Sequence, residues 1–258
     1  MPNIAGSAPI LSRQNPFVKR TASLKQKKYR DEFSEYIVEG EKMVAEAIAT
    51  GQDISSVVVS DGMETFVAIP EEKIVRVSEN VFKAMSDEMS PQGILAVVRI
   101  PEKPPIGRLL RCLILDGLQD PGNVGAILRI AAACGIDHVF AVFCADPYSP
   151  KAVRSSMSGV FRTKIIKCTR EEALAYVKDE NVPLFVADMN GKNVFTAEKA
   201  DKFCLVLGNE GNGISDFFKE SADETISIPM MNGIESLNVA VAAGVCVYSL
   251  VFGGAKTI

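Results

Sequence analysis

Apolar positions along this chain recur with two spacings. Short continuous runs bounded by turn residues mark buried strands, and runs with i, i+3, i+4 spacing mark helices. EYIVEG (35–40) and ISSVVVS (54–60) read as strands, and EKMVAEAIATG (41–51) between them reads as an amphipathic helix stopped by Gly51. SENVFKAMSD (78–87) reads as a helix and GILAVVRI (93–100) as a closing strand. After PEKPPIG (101–107), RCLILDGL (111–118) reads as a buried strand, NVGAILRIAAACG (123–135) as a helix ended by Gly135, and DHVFAVF (137–143) as a strand. PKAVRSSMSGVF (150–161) and REEALAYVKDE (170–180) read as helices, LFVADM (184–189) and FCLVLG (203–208) as strands. ISDFFKESA (214–222) then reads as a helix, TISIPM (225–230) as a strand and LNVAVAAGVCVYSLVF (237–252) as a final buried helix.

Strands alternating with helices predict an α/β fold whose C-terminal part is a mostly parallel sheet covered on both faces. Three prolines in the seven residues of 101–107 mark a linker, because proline removes donors and restricts the backbone. The expected organisation is an N-terminal arm (1–30) that runs into a first helix, a small α/β domain (31–100), the linker (101–107) and a larger domain (108–258).

Charge changes this picture more than bulk composition does. With 258 residues, 47% of them hydrophobic, the chain can bury a large core, which excludes disorder as its main state. A net charge of −4 argues against a general polyanion binder. Yet residues 1–30 hold seven basic residues and no acid, and residues 147–170 hold six more and no acid. That leaves 15 basic residues against all 32 acidic ones, an acidic body with two basic tracts that suit local contact with an anionic partner. For either tract alone, solvated surface charge is the simpler account.

The six cysteines form no CxxC pair, and several sit in apolar runs, so they read as small buried hydrophobes of a reducing cytoplasm. One histidine, His138, and scattered cysteines argue against a zinc site, and His138 reads as structural. No signal peptide is visible, and Leu237–Phe252 is too short to span a membrane.

Three polar clusters fall beyond strand ends, where open α/β sheets bind ligands. In DGLQDPGNVGAILR (116–129), Asn123 can cap the helix, and Arg129 lies away from the apolar face of Val124, Ile127, Leu128 and Ala131. An arginine there either snorkels to the surface or meets an anionic partner, and this segment alone does not decide. FCLVLGNEGNG (203–213) resembles a phosphate loop at first sight. Ile214 stands where such a loop needs lysine, and Glu210 would repel phosphates, so a neutral or cationic ligand fits better. In IPMMNGIESLN (228–238), Ser236 and Asn238 open the final helix.

The set NVGAILR, LGNEGNG and IPMMNGIESLN, in this order, resembles the three motifs of the SpoU/TrmH family of RNA 2′-O-ribose methyltransferases, in the SPOUT class of S-adenosylmethionine-dependent enzymes. IVEGEKMVAEAI and SDEMSPQGILAVV resemble the small N-terminal RNA-binding domain of many members. The resemblance implies a trefoil knot in the C-terminal domain and a homodimer whose sites use residues of both subunits. It places catalytic roles on Asn123, Arg129, Glu210, Ser236 and Asn238, and the cofactor pocket on Leu207, Gly208, Ile228, Met230 and Leu237. With one histidine and scattered cysteines, no metal is expected. RNA contacts are expected from Arg13, Lys19, Lys25, Lys27, Lys28, Arg30, Lys151 and Arg154. A free guanidinium is a poor base, so Arg129 is expected to pair with the target phosphate and orient the hydroxyl, with Glu210 holding Arg129 or its own loop. Ribosomal RNA is favoured over transfer RNA. Two other readings stay open: a non-enzymatic RNA-binding or ribosome-associated protein with this fold, and a nicotinamide-dependent dehydrogenase, which lacks its glycine fingerprint here.

Overall fold

The computed structural model describes residues 8–64, 67–102, 107–197 and 199–253. The start of the expected arm and residues 103–106 of the expected linker lie outside the described residues. The chain divides into two compact units. The first holds the described residues up to Glu102 together with Tyr148–Phe161, and the second holds those up to Pro147 and from Arg162 onward.

In the first unit, strands β1 (Glu35–Glu39), β2 (Ile54–Ser60), β3 (Ile74–Val77) and β4 (Ile94–Arg99) form one sheet in the order β1-β4-β2-β3. β4 runs antiparallel to β1 and β2, whereas β3 runs parallel to β2. The basic N-terminal segment is folded into this unit. Ile10 bridges to Val77, and helices α1 (Pro16–Ser23) and α2 (Lys27–Phe33) follow. Asn15 caps α1 by accepting from the Phe17 N–H, with Pro16 in the first turn where a missing N–H costs nothing. Val18 and Leu24 join a core with Val58, Phe82 of α4 (Glu79–Met85) and Leu95. Helix α3 (Glu41–Ala49) packs on β1 and β4.

The segment expected as one helix over 150–161 is two, α6 (Pro150–Ser156) and α7 (Gly159–Arg162). They break at Met157, whose φ of 53° lies in the left-handed region. Gly159, two residues on, is the signal in the sequence that stands beside this break. α6 packs on β1, and the rings of Tyr36 and Tyr148 lie 4.9 Å apart.

The second unit is a six-stranded parallel sheet in the order β10-β8-β9-β5-β6-β7. Its strands are β5 (Arg111–Asp116), β6 (His138–Val142), β7 (Lys164–Cys168), β8 (Leu184–Asn193), β9 (Phe203–Gly208) and β10 (Glu224–Ser227). Both sheet faces are covered, so the central strands β5, β6 and β9 are apolar at nearly every position. Cys112 and Ile114 face a core shared with α8 (Arg170–Asp179) and α9 (Asp216–Ser221). The alternate residues Leu113 and Leu115 point to the opposite face. Helices α5 (Pro121–Ala133) and α10 (Val239–Phe252) pack on each other, and α10 also packs on β9. Fully burying each such Leu or Ile contributes roughly 1.5–3 kcal/mol. The expected face of α5, Val124, Ile127, Leu128 and Ala131, is buried. Strand order places the ends of β5 and β9 side by side, which positions the first two polar loops, and the third polar loop follows β10, beyond β8.

None of the six cysteines forms a disulfide. No helix among the described residues is long and apolar enough to cross a membrane. Among them, too, no group of three or more His, Cys, Asp or Glu residues is placed to hold a metal ion.

His138 opens β6, is buried, and neither ring nitrogen has a hydrogen-bond partner among the described residues. Burial, then the nearby Lys164, push its pKa below the ordinary 6.5. Neutral His138 therefore stabilises the fold above pH 6.5, and that contribution is lost as pH falls through this value toward the depressed one. The thermal unfolding midpoint is expected to fall between pH 7.5 and 5.5 more steeply in the natural chain than in His138→Leu. Parallel curves for the two proteins would contradict this.

Candidate active site

The site begins where β5 ends. Gly117 turns the chain with φ of 75°, and its N–H donates to the Val142 carbonyl at 2.9 Å. Asp120 then caps α5, its Oδ1 accepting from the Gly122 N–H at 2.8 Å. This corrects the expected cap: Asn123 stands inside the first turn, and its side chain is available for another task.

A second loop leaves β9. Gly208 admits no side chain, because an added Cβ would lie 2.3 Å from the Ile214 nitrogen. The loop closes on itself through paired 2.9 Å hydrogen bonds between the backbones of Asn209 and Gly213. Asn209 Oδ1 accepts from Gly211 and Asn212, and its Nδ2 donates to the Gly117 carbonyl at 2.7 Å, stitching this loop to the first. Asp116, whose side chain is 1% exposed, adds a second stitch by accepting from the Ser215 N–H at 2.9 Å and from Arg170 Nε at 2.8 Å.

Glu210 completes the join. Its carboxylate accepts from Asn123 Nδ2 at 2.9 Å, the Gln119 N–H at 3.1 Å and the Asp120 N–H at 3.3 Å. Burial pushes the carboxyl up, but these hydrogen bonds outweigh it and hold it below the usual carboxylate range. Glu210 thus holds Asn123 and the loop, and not Arg129. Arg129 is exposed, and its side chain makes no hydrogen bond or ion pair among the described residues.

The third cluster is tied to the same chain of groups. Asn238 is the N-cap of α10, its Oδ1 accepting from Ala240 N–H at 3.0 Å and Val241 N–H at 3.3 Å. The helix therefore starts at Val239, two residues later than its sequence pattern predicts. Asn238 Nδ2 donates to Asn123 Oδ1 at 3.0 Å. Backbone donors at one end and a carboxylate at the other fix the orientation of both amides. Asn123, Glu210 and Asn238 are thereby brought together from three motifs.

A cavity of about 590 Å³ lies beside this network. Leu207, Gly208, Ile228, Met230 and Leu237, all expected around the cofactor, line it, and so do Glu210, Ser236 and Asn238. Asn123 and Arg129 do not. Its size suits a small organic ligand. Its charged lining is acidic only, with Asp188, Glu210 and Glu235 and no lysine or arginine. Asp188 is offset by Lys219 at 3.2 Å. A cavity without a cation rejects polyphosphates and accepts a cationic group.

The expected RNA contacts divide. Arg30 is buried, with its guanidinium donating to the Leu24 and Lys25 carbonyls, and Lys25 donates to the Ala84 and Ser86 carbonyls. Both therefore serve the first unit's own structure. Arg154 pairs with Glu88 at 2.8 Å and Asp87 at 3.5 Å, and Lys27 pairs with Asp31 at 2.8 Å. Arg13, Lys19, Lys28 and Lys151 are exposed. Sequence reasoning missed Asp116, Asn209 and Arg170. A lone carboxylate ending the apolar run RCLILD was the available signal for the first.

The parallel sheet, its interlocked loops and a cavity whose charged lining is acidic define an α/β ligand-binding unit. The chain belongs to the SpoU rRNA methylase family, whose model matches residues 111–248, and an MRM3-like substrate binding domain matches residues 15–96. It is similar to the 23S rRNA (guanosine(2553)-2′-O)-methyltransferase RlmP of Bacillus subtilis, at 32% identity over 93% of this chain and 98% of that protein. It is also similar to the 23S rRNA (uridine(2479)-2′-O)-methyltransferase of Streptomyces viridochromogenes, at 27% identity over 94% and 91%. The crystal structure of an AdoMet-bound rRNA methyltransferase from Sinorhizobium meliloti superposes with a TM-score of 0.84, at 26% identity, over 94% of this chain and 97% of that one.

Asn238→Ala removes the cap of α10 and should lower unfolding stability by about 1 kcal/mol. Asn238→Asp keeps the acceptor and should retain most of that stability. Urea unfolding of the three proteins measures this, and equal losses in both variants would contradict the capping role.

Proposed function

We propose that this protein transfers the methyl group of S-adenosylmethionine to a ribose 2′-hydroxyl of ribosomal RNA, acting as a cytoplasmic homodimer. The observation that carries this reading is the cavity, which gathers eight of the residues that the family motifs single out and holds acidic groups but no cation. The residues present fit the cofactor. Leu207, Ile228 and Leu237 offer apolar walls for an adenine, and Glu210 and Glu235 suit positive charge. When bound, S-adenosylmethionine supplies an electrophilic methyl group on a sulfonium.

The residues around it divide by their bonds. Asn123 is engaged at both ends of its amide, so we assign it to positioning the loops rather than to touching substrate. Ser236 and Arg129 are exposed and without hydrogen bonds among the described residues, and are the groups left to meet RNA. Arg129 would pair with the phosphate of the target nucleotide and orient its 2′-hydroxyl, with the departing proton shared with that phosphate. This is catalysis by position and charge, since the guanidinium itself is a poor base.

Arg129 does not line the cavity of its own chain. A dimer resolves this by presenting Arg129 to the partner's cavity. Supporting it is an unusual apolar exposure on α10: Val241, Tyr248 and Phe252 are all exposed, with Met231, Ile234 and Leu237 exposed before the helix. Arg129 is carried by α5, which packs on α10. The reading includes the trefoil knot within 108–258, supported by the shared fold over nearly the whole chain. Arg13, Lys19, Lys27, Lys28, Lys151 and Arg154, all exposed, remain the candidates for phosphate contacts. The ribosomal target is taken from the names of the relatives, and the cytoplasmic location from six cysteines of which none forms a disulfide.

Mapping 2′-O-methyl groups in ribosomal RNA from cells with and without the protein tests the activity, and one lost site is expected. In purified protein, Arg129→Ala should lower transfer by about 100-fold or more while cofactor affinity stays nearly unchanged. Ile228→Arg, which blocks the cavity, should also be inactive. Mixed dimers of the two variants should regain activity, because one site then has both an open cavity and an arginine. Inactive mixed dimers would contradict the shared site, and equal loss of transfer and cofactor binding in Arg129→Ala would contradict its role.

A further inference from the structure

Phe143 follows the last residue of β6 and is 65% exposed. Its φ of 48° lies in the left-handed region, which is ordinarily left to glycine or asparagine. A bulky aromatic persists there only where its surroundings over-determine it. They do so here: on one side Val142 accepts from the Gly117 N–H at 2.9 Å, and on the other the Ala145 N–H donates to the Leu118 carbonyl at 2.7 Å. The loop carrying Phe143 is therefore bonded to the segment that leads to Gln119, Asp120 and Asn123.

The ring is not bare. The Arg170 guanidinium carbon lies 5.2 Å from its centroid, within the range of a cation–π contact. Arg170 is itself fixed, because its Nε donates at 2.8 Å to Asp116, a carboxylate whose side chain is 1% exposed and which also holds the second loop through Ser215. A buried anion thus anchors a guanidinium, the guanidinium backs an aromatic ring, and the ring projects into solvent beside the loops of the site.

We propose that Phe143, backed by Arg170, is a stacking platform for a nucleobase next to the nucleotide being methylated. The inference deepens the proposed function and rests on RNA being the substrate. An exposed aromatic ring beside a guanidinium plane is the chemistry that holds unstacked bases of single-stranded RNA, and it is tolerant of base identity because every base has a π-face. Phosphate contacts elsewhere give affinity, whereas a stacked neighbour fixes the register of the strand, and with it which ribose reaches the cavity.

The chain contains no tryptophan, so Phe143→Trp installs a single indole at the proposed platform. Titrating the full-length variant with deproteinised large-subunit ribosomal RNA should quench its fluorescence saturably, while inorganic polyphosphate of matching charge should not. Phe143→Ala should raise KM for that RNA about tenfold or more, leave KM for S-adenosylmethionine and the unfolding temperature unchanged, and be restored by Phe143→Tyr. An RNA KM within twofold of the natural chain overturns the platform. So does an indole signal that ignores RNA while filter binding shows RNA bound, or a Phe143→Ala defect confined to folding or to the cofactor. Failure of the natural chain to bind RNA at all would instead overturn the proposed function together with this inference.

Discussion

A short chain of polar side chains ties three separate stretches of sequence together at one end of the six-stranded sheet. Backbone N–H groups at the start of α10 bond to Asn238, Asn238 to Asn123, and Asn123 to Glu210, which in turn collects two more backbone N–H groups. Each link has one polarity available, since the helix start can only donate and the carboxylate can only accept. A net contribution of about 1 kcal/mol per hydrogen bond is modest. Leaving any member unpaired costs more than its own bond, so the three loops hold one arrangement or lose it together.

The scaffold makes this possible. Parallel strands that are apolar on both faces place their carboxyl ends in register, and the order β10-β8-β9-β5 brings the loops after β10, β9 and β5 to the same end of the sheet. Asn209 and Asp116 add two further stitches between the same loops. The cavity is then a consequence of loop closure. Gly208 lets the chain fold back within 2.3 Å of where a side chain would be, and the carboxylate that closes the loop also sets the sign of the cavity's charge. Structure and ligand preference come from the same residue, Glu210.

Most of this was legible residue by residue. Apolar periodicity placed the strands and helices because their partners are supplied by the sheet as a whole, and the three motifs stood out because polar residues at strand ends have no packing role. Two strands were missed for a physical reason. Ile74–Val77 is only four residues long, and Lys164–Cys168 is an edge strand with lysines in it, so neither is apolar enough to announce itself. Asp120 and Asn123 are equally good caps by type, but Pro121 between them is the better signal, since proline favours the first helical position and points to Asp120. Arg30 and Lys25 show the limit of charge counting. A basic residue that donates to backbone carbonyls contributes to the tract's charge while its cation is engaged in the protein's own structure.

Asn123 separates the interlocked-loop account from a simpler one in which each motif contacts the ligand by itself, because it does not line the cavity. The most direct test is calorimetric titration of S-adenosylmethionine into the natural chain and into Asn123→Ala. If the amide chain holds the loops, affinity falls about tenfold in the variant while its fold stays intact by circular dichroism. Unchanged affinity would contradict the central role given to this network.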